Sequence, residues 1–331
     1  MTLADVAAVA RGGVSVRLGE GARSRMQRSH AWVAAAAEGA LRDEHGQELQ
    51  VYGVNTGYGS LARVRIDQDR ICELSWNLVR SHAAGVGPPM PGDAVRAMML
   101  LRASALSRGS SGCRPALVDT LCGMLDAGVL PEVPSRGSCG SSGDLAPLAH
   151  LGLVLFRGPD PEEDVGVAWL DGERMSARQA MARVGLERLV PGPKEGLAMT
   201  NGAQLSCAVT ALMLVDAEAL VHAAEIAAAA SWEALRGVTR ALHPDVHRLR
   251  PYPGAIAVAG DLRKLMEGSS LNDSVPGKVQ DAYSLRCTPQ VLGACRDALT
   301  YAGRQVSIEL NAVTDNPIIL VDDPDENKAF S

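Results

Sequence analysis

The stretch Gly137-Ser-Cys-Gly-Ser-Ser-Gly-Asp-Leu-Ala-Pro-Leu-Ala-His150 is the most distinctive part of the chain. Glycine and serine fill six of the seven positions from Gly137 to Gly143, and an apolar segment of helix-forming residues follows Asp144. Because glycine lacks a Cβ, its backbone adopts tight turns and left-handed conformations that other residues rarely adopt. The stretch therefore predicts a tight loop that leads directly into a helix.

Four interpretations of this loop follow from its residues. A phosphate-binding loop needs the spacing Gly-x-Gly-x-x-Gly after a strand, or a following lysine, and neither is present. A nucleophile elbow needs Gly-x-Ser-x-Gly, and the segment Gly140-Ser-Ser-Gly143 is one residue too short. A mobile Gly/Ser loop is what composition alone favours. The fourth interpretation is cyclisation of the backbone.

Cyclisation would use the amide nitrogen of Gly143 to attack the carbonyl carbon of residue 141, with loss of water. Ser142 would then lose its hydroxyl group, which leaves an exocyclic methylidene. The attacking residue has to be glycine because a side chain would crowd ring closure. The loop also has to be strained, so that the nitrogen and the carbonyl are held together.

The residues around this loop resemble the signature Gly-Ser-x-Gly-x-Ser-Gly-Asp-Leu-Ala-Pro-Leu-Ala-His of the aromatic amino acid ammonia-lyases and aminomutases, and among these the histidine ammonia-lyases most. The resemblance implies a methylidene-imidazolone group (MIO) that forms autocatalytically from Ser141-Ser142-Gly143, beside Asp144, with no metal or nucleotide cofactor. Ser141 stands where the family has alanine, and its side chain lies outside the ring.

Two stretches in the first third of the chain extend the resemblance. Tyr52-Gly-Val-Asn-Thr-Gly-Tyr-Gly59 resembles the family's Tyr-Gly-x-Asn-Thr-Gly-Phe-Gly loop, which makes Tyr52 the candidate base. Ser81-His-Ala-Ala-Gly-Val-Gly87 resembles a family stretch in which Ser81 and His82 match the selectivity pair of histidine ammonia-lyases. Without the resemblance, Tyr52 would be a packed aromatic residue and His82 a cap at a helix C terminus.

Two later stretches supply the remaining candidates. Pro193-Lys-Glu-Gly-Leu-Ala-Met-Thr-Asn-Gly202 resembles a family loop, which implies that Asn201 hydrogen-bonds the MIO or the substrate. Gln280-Asp-Ala-Tyr-Ser-Leu-Arg-Cys-Thr-Pro-Gln290 resembles another, which implies that Arg286 binds the substrate carboxylate through its bidentate fork. Gln280 and Tyr283 would line the pocket. From the residues alone, Asn201-Gly202 is a turn and Arg286 an ordinary ion-pair residue.

Composition narrows the class of protein. A net charge of −6 offers no basic surface for nucleic acid or an anionic membrane. Seven cysteines without a Cys-x-x-Cys pair favour reduced thiols in a cytoplasmic protein over disulfides or a zinc site. The N terminus carries an early acid and no basic segment, which predicts no signal peptide, and no uncharged run reaches the length of a membrane span.

The predicted fold is mainly α. Hydrophobic residues make up 47% of the chain and aromatic residues only 3%, which favours close-packed helices of Ala, Val, Leu and Met. The resemblance implies a fumarase/aspartase-like fold, with a mostly helical domain over 1–195 that carries the MIO loop and a long-helix bundle core over 196–331. Helices are predicted over several ranges: 24–41, 93–108, 115–127, 176–184, 203–235, 255–267 and 289–310. Asp93 and Thr288 are predicted to cap the N termini of their helices, and Pro115 and Gly128 to mark the start and the end of the helix over 115–127. Residues 158–172 are predicted to form a surface turn or hairpin.

The helix over 203–235 is apolar on most faces, so it is predicted to be buried on several sides. It should therefore also form subunit contacts, and the resemblance implies a homotetramer. Family members continue beyond the position of Ser331 with further helices and an aromatic loop near the MIO, so the chain is predicted to be truncated. We expect such a chain to form MIO poorly and to show little activity, because strain persists only where neighbouring structure enforces it.

The implied reaction is elimination of ammonia from an aromatic amino acid, with L-histidine to urocanate as the first hypothesis. Tyr52 would remove the β-proton, Arg286 would hold the carboxylate, and Asn201, Tyr283 and His82 would position the rest. A tyrosine ammonia-lyase or aminomutase is one alternative, and a non-catalytic truncated family member is another. A serine hydrolase is the least favoured alternative, since no Ser-His-Asp arrangement can be recognised in the sequence.

Overall fold

The computed structural model describes residues 1–140, 143–160, 163–323 and 327–330. Over these residues the chain is mainly helical, as composition predicts. It divides into two compact units, one of Met1–Thr210 with Glu309–Ser331 and one of Ala211–Ile308. Both boundaries fall inside long helices, whereas the predicted domain boundary lies between residues 195 and 196.

The first unit contains eight α-helices within the described residues, all of them ahead of the first long helix. They are α1 (Leu3–Gly12), α2 (Glu20–Ala37), α3 (Ile71–His82), α4 (Gly92–Ser107), α5 (Pro115–Ala127), α6 (Leu145–Leu155), α7 (Ala177–Arg183) and α8 (Glu195–Thr200). Short 3₁₀ turns cover Gly59–Leu61 and Gln68–Arg70. Helix α4 lies in the core of this unit, because its apolar residues are buried on nearly every face.

Short antiparallel strands complete the first unit. They are β1 (Val86–Pro89), β2 (Leu130–Pro131), β3 (Pro134–Arg136), β4 (Val167–Leu170), β5 (Glu173–Ser176), β6 (Ile318–Ile319) and β7 (Ala329–Phe330). Strand β1 pairs with β3, β4 lies between β2 and β5, and β6 pairs with β7. The β1–β3 pair joins the segment after α3 to the segment that enters the Gly-rich stretch.

The second unit is built on two long helices, and each of them extends into the first unit. These are α9 (Gln204–Ala234) and α13 (Thr288–Glu309), with the shorter helices α10 (Pro244–Arg248), α11 (Pro253–Leu265) and α12 (Tyr283–Arg286) and a 3₁₀ turn at Thr239–Leu242 between them. Within this unit, Trp232 of α9 is fully buried against a small core that includes Val258 and Leu262 of α11.

Several helix boundaries differ from the sequence predictions, for local reasons. Helix α5 and its left-handed Gly128 (φ +75°) are as predicted. Asp93 does not cap α4, which begins at Gly92, and its carboxylate pairs with Arg11 at 3.0 Å instead. The prediction of a cap at Thr288 is also wrong, because this residue is helical and its hydroxyl donates to a carbonyl of the preceding turn. The hairpin predicted over 158–172 is centred later, on Asp171 between β4 and β5.

The first long helix is buried only in part within the described chain. Met213, Leu220 and Ile226 of α9 are 64%, 70% and 59% exposed. The expectation that no segment reaches the length of a membrane span is wrong, because α9 is long and apolar enough to cross a membrane. Long core helices of soluble proteins share this property. The charged residues of α9, Asp216 and Glu225 among them, interrupt the apolar sequence.

Candidate active site

Three of the predicted site residues line one cavity in the first unit. Tyr52, His82 and Asn201 lie on its wall, and its volume is about 440 Å³. Leu145, the first residue of helix α6, also lines it, so the cavity lies where the Gly-rich stretch gives way to its helix. The other lining residues are Tyr58, Gly59, Ser60, Leu78, Leu197, Thr200 and Asn316.

Tyr52 is held by a loop that folds around a buried asparagine. The side chain of Asn55 accepts from the Val51 amide at 2.8 Å and donates to the carbonyls of Leu49 and Ala36 at 2.8 and 3.0 Å. This role of Asn55 was not predicted, although the residue belongs to the quoted loop. The phenol oxygen of Tyr52 accepts a hydrogen bond from the Gly59 amide at 3.2 Å.

A second tyrosine lies beside Tyr52 in the same cavity wall. The rings of Tyr52 and Tyr58 meet edge to face, with centroids 6.1 Å apart and planes at 80°. The Tyr58 hydroxyl is buried, and burial raises the pKa of Tyr58 well above its ordinary value. Because the buried phenol stays protonated, Tyr58 is a poorer candidate for the base than Tyr52, which is partly exposed to the cavity.

His82 is the last residue of α3 and is half-buried. Its Nδ1 lies 2.9 Å from the carbonyl oxygen of Leu78 and 3.0 Å from the hydroxyl of Ser81. A carbonyl oxygen only accepts hydrogen bonds, so the contact with Leu78 places the proton of the neutral ring on Nδ1. Nε2 of that tautomer is an acceptor, which is suited to bind a donor in the cavity.

The end of the Gly-rich stretch is packed against the segment that follows Asn201. Gly143 has φ +88°, and a Cβ built on it would lie 2.2 Å from the carbonyl oxygen of Gly202. The amide of Asp144 donates to that same oxygen at 2.6 Å. Only glycine fits at position 143, because the backbone has a positive φ there and because a side chain would clash with Gly202.

Asp144 is buried and accepts three hydrogen bonds. Its carboxylate accepts from the hydroxyl of Ser138 at 2.7 Å and from the amide and hydroxyl of Ser206, both at 2.8 Å. It therefore ties the two ends of the Gly-rich stretch together and joins them to the first turn of α9. Ser141 and Ser142, the other predicted members of the ring, lie outside the described residues. The described part of the loop fits the MIO group, because residue 143 is confined to glycine and its neighbour is firmly held.

The other predicted site residues belong to the second unit. Arg286 ends helix α12, and its guanidinium group lies over the ring of Tyr283, 4.2 Å from the centroid. The Nε atom of Arg286 is buried without a partner among the described residues, and Tyr283 is 71% exposed. Gln280 is exposed as well. This unit thus presents a guanidinium group oriented by an aromatic ring and still able to bind a ligand.

The structure adds a buried polar cluster that was not predicted. The Nη1 of Arg102, a fully buried residue, donates to the carbonyl of Asn201 at 2.7 Å and to Oε1 of Gln204 at 2.8 Å. Gln204 in turn donates to the hydroxyl of Thr314 at 2.7 Å. One signal was available in the sequence, because Arg102 interrupts an otherwise apolar helical segment.

The chain is similar in sequence to known proteins over its whole length. The sequence model described as aromatic amino acid lyase matches residues 1–331. The histidine ammonia-lyase of Paracidovorax citrulli (strain AAC00-1) is 44% identical over 324 residues, which are 97% of this chain and 60% of the relative.

Solved structures share the mainly α fold. The ergothioneine-degrading enzyme ergothionase of Treponema denticola has a TM-score of 0.88 at 32% identity, over 100% of this chain and 63% of that one. The tyrosine aminomutase of Streptomyces globisporus has a TM-score of 0.86 at 33% identity, over 98% of this chain and 62% of that one. The chain therefore spans less than two thirds of the length of these relatives.

Proposed function

Because the chain belongs to the aromatic amino acid lyase family, we propose that the protein eliminates ammonia from an aromatic L-amino acid, with L-histidine giving urocanate as the leading candidate. The observation that carries this proposal is the cavity lined by Tyr52, His82 and Asn201 at the start of α6. Its volume of about 440 Å³ is in the range of small-molecule sites.

The proposal includes an MIO group formed from Ser141, Ser142 and Gly143. Once formed, this group would supply the electrophile for the substrate's amino group or ring, and no metal or nucleotide is needed. Two features of the chain support it. Gly143 has no room for a side chain, and the buried carboxylate of Asp144 holds the end of the stretch through three donors. Strained loops persist where neighbouring groups hold them in this way.

Tyr52 is proposed as the base that removes the β-proton. Tyr52 lies in the cavity wall, and its phenol oxygen accepts a hydrogen bond from the Gly59 amide. The edge-to-face contact with Tyr58 limits the directions in which the Tyr52 ring can turn. These two contacts support Tyr52 as the base, because they restrict the movement of its ring.

Arg286 is proposed as the anchor for the substrate carboxylate. A guanidinium group matches a carboxylate through two parallel hydrogen bonds, and stacking on Tyr283 keeps its plane oriented. Tyr283 and Gln280 would then contribute to the wall around the bound substrate. Asn201 would contribute a side-chain amide from the wall of the cavity.

His82 supports histidine as the substrate. With its proton on Nδ1, the ring offers Nε2 as an acceptor for the imidazole N–H of a histidine substrate. A tyrosine substrate would offer its phenol O–H to the same acceptor, so a tyrosine ammonia-lyase or aminomutase is the alternative. The match to the histidine ammonia-lyase, 44% identical over 97% of this chain, supports histidine as the leading candidate.

Self-association is part of the proposal, with a homotetramer as the expected form. Met213, Leu220 and Ile226 expose a large apolar area along α9, and extended apolar patches of this kind mark interfaces between proteins. A cytoplasmic location is also proposed. This proposal rests on the cysteines, which form no disulfide bond within the described residues and would suit a reducing compartment.

Two measurements test the proposed function. The purified protein is incubated separately with L-histidine, L-tyrosine and L-phenylalanine, while ammonia release, absorbance of the unsaturated acid and formation of β-amino acids are recorded. We expect urocanate and ammonia from histidine, and a low turnover would agree with the expected impairment of this chain. The mass of the modified fraction should be lower than the sequence mass by two water molecules, and the Ser142→Ala variant should lose both the mass change and the activity. An unmodified mass with no turnover on any substrate would favour a non-catalytic family member instead.

A further inference from the structure

Arg102 lies in the centre of the first unit, in a place where an unpaired cation is unfavourable. Its side chain is fully buried in helix α4, among apolar residues such as Met98 and Met99. Its Nε and Nη2 have no hydrogen-bond partner among the described residues. Burial lowers the pKa of Arg102, and the carboxylate of Asp315 acts in the opposite direction. A charge is rarely kept in such a place unless its contacts matter.

Within the described residues, the hydrogen bonds that Arg102 makes go to one short segment. Its Nη1 donates to the carbonyl of Asn201 and to the side chain of Gln204, the residues on either side of Gly202 and Ala203. Gly202 has φ +152°, and a Cβ there would lie 2.6 Å from Nη1 of Arg102 and 2.3 Å from Oε1 of Gln204. The guanidinium group therefore closes directly on the Gly202 backbone.

The opposite side of Gly202 faces the Gly-rich stretch. Its carbonyl oxygen accepts from the Asp144 amide at 2.6 Å and leaves no space for a side chain on Gly143. Gly202 is thus held between Arg102 on one side and the residue that supplies the attacking nitrogen on the other. A shift of the Gly202 peptide would be transmitted to Gly143 through direct contact.

From this arrangement we propose that Arg102 is a positioning residue, which holds the Asn201–Gly202 backbone so that Gly143 is pressed into the geometry for ring closure. The inference rests on the proposed function, because ring closure is what the positioning serves. It also assigns Arg102 a second effect, since the same backbone carries the Asn201 side chain that lines the cavity.

The covalent step that depends on this positioning is redox-neutral. A bond forms between the nitrogen of Gly143 and the carbonyl carbon of residue 141. The carbonyl oxygen leaves as water with the amide hydrogens of Gly143 and Ser142, as a double bond forms between that carbon and the Ser142 nitrogen. Ser142 then loses its hydroxyl and its α-hydrogen as a second water. No oxidant, reductant or other reactant is needed.

The same helix offers a matched control. Arg96 also lies in α4 and also donates to backbone carbonyls, those of Val9 and Leu125. These carbonyls are remote in sequence from Gly202 and do not belong to the cavity wall. Arg96→Met therefore removes a guanidinium group with comparable contacts from the same helix, and it leaves the Gly202 segment untouched.

The experiment compares the wild-type protein with Arg102→Met, Arg102→Lys and Arg96→Met. Intact mass reports the loss of two waters, and thermal unfolding reports the fold. We expect ring formation in Arg102→Met to slow by about 100-fold, the loss typical of a shift of about 1 Å at a reacting centre. Arg102→Lys should recover part of the rate of ring formation, because the lysine ammonium group can still donate a hydrogen bond to the Gly202 segment. Arg96→Met should be modified like the wild type. Equal modification in Arg102→Met and the wild type would overturn the proposal.

Hydrogen exchange keeps the positioning testable even if the wild type carries no ring. The Asp144 amide, which donates to Gly202, should exchange faster in Arg102→Met than in either the wild type or Arg96→Met. An unmodified wild type with this pattern would remove the proposed function and leave the positioning in place. Unchanged exchange at Asp144 would refute the positioning itself.

Discussion

The ammonium group of Lys194 lies 2.8 Å from a carboxylate oxygen of Asp315, and neither side chain is exposed to solvent. Lys194 itself adopts a left-handed backbone conformation, φ +63°, immediately before helix α8. The pair thus joins the start of the helix that carries Asn201 at its C-terminal end to the loop after α13. Removal of either partner would leave a buried charge uncompensated.

The first prediction concerns this ion pair. Lys194→Met should lower the free energy of unfolding by about 3–5 kcal/mol, because the Asp315 carboxylate would remain buried without its partner. The double variant Lys194→Met/Asp315→Asn should recover much of that loss, since no net charge is then buried. Denaturant unfolding of the wild type, both single variants and the double variant measures the coupling. If the double variant is as unstable as the sum of the single variants, the pairing does not explain the loss.

The second prediction separates the two tyrosines of the cavity. Tyr52→Phe should lower kcat by about 10²–10⁴-fold with little change in KM, because the general base is lost. Tyr58→Phe is the matched control, since it removes a hydroxyl from the same cavity wall and keeps the edge-to-face packing. Its kcat should stay close to the wild-type value. Comparable losses in both variants would remove Tyr52 from its assigned role.

The third prediction concerns the carboxylate anchor. Arg286→Lys should mainly raise KM, because a point charge replaces a bidentate fork and the stacking on Tyr283 is weakened. Steady-state kinetics with the amino acid substrate measure this split. A substrate amine that lacks the carboxylate should be insensitive to the substitution. If KM is unchanged and only kcat falls, Arg286 does not bind the substrate carboxylate.

The fourth prediction is a pH dependence of stability that arises at His150. The ring Nε2 accepts the Gly85 amide at 3.1 Å, and burial lowers the pKa of His150, with Glu132 acting weakly against it. The folded state thus favours the neutral ring, so the unfolded chain binds the proton first as the pH falls. The stability from this contact is fully present above about pH 6.5, the unperturbed value for histidine, and is lost as the pH falls through the folded pKa.

Denaturant unfolding between pH 8 and pH 5 on the wild type and on His150→Gln tests this linkage, with the range chosen around the ordinary histidine value of about 6.5. The variant should lose the part of the pH slope that is due to His150, because glutamine does not titrate. An identical slope in both proteins would show that other groups account for the dependence.

The fifth prediction addresses the exposed face of α9. Leu220→Lys should shift the protein toward smaller species in light scattering, because Leu220 is 70% exposed within the chain and belongs to an apolar patch. The control is Leu249→Lys, at a residue that is 89% exposed in the short segment after α10. Its oligomeric state should match the wild type. A stable monomer for the unmodified protein would remove the need for any partner at this face.

The sequence predicted most of the helices of this fold. Pro115 and Gly128 bound helix α5 as expected, because proline and glycine act through local backbone conformation. Boundaries that depend on a side-chain cap were less accurate. Asp93 and Thr288 are both of a residue type that caps helices, yet neither caps its helix. Asp93 pairs with Arg11, and the Thr288 hydroxyl donates to the Leu285 carbonyl.

The family of this chain can be read from its amino-acid order, and so can the residues that are proposed for the chemistry. A ring-forming loop and a base-bearing loop require certain residues at consecutive positions, so segments such as 137–150 and 52–59 are legible without coordinates. The tertiary structure alone decided what holds those segments in place. Arg102 and Asn201 are 99 residues apart, and Lys194 and Asp315 are 121 apart. No local pattern encodes such pairs, because their contact depends on the packing of whole helices. The identity of a charged residue also does not show whether its side chain is buried.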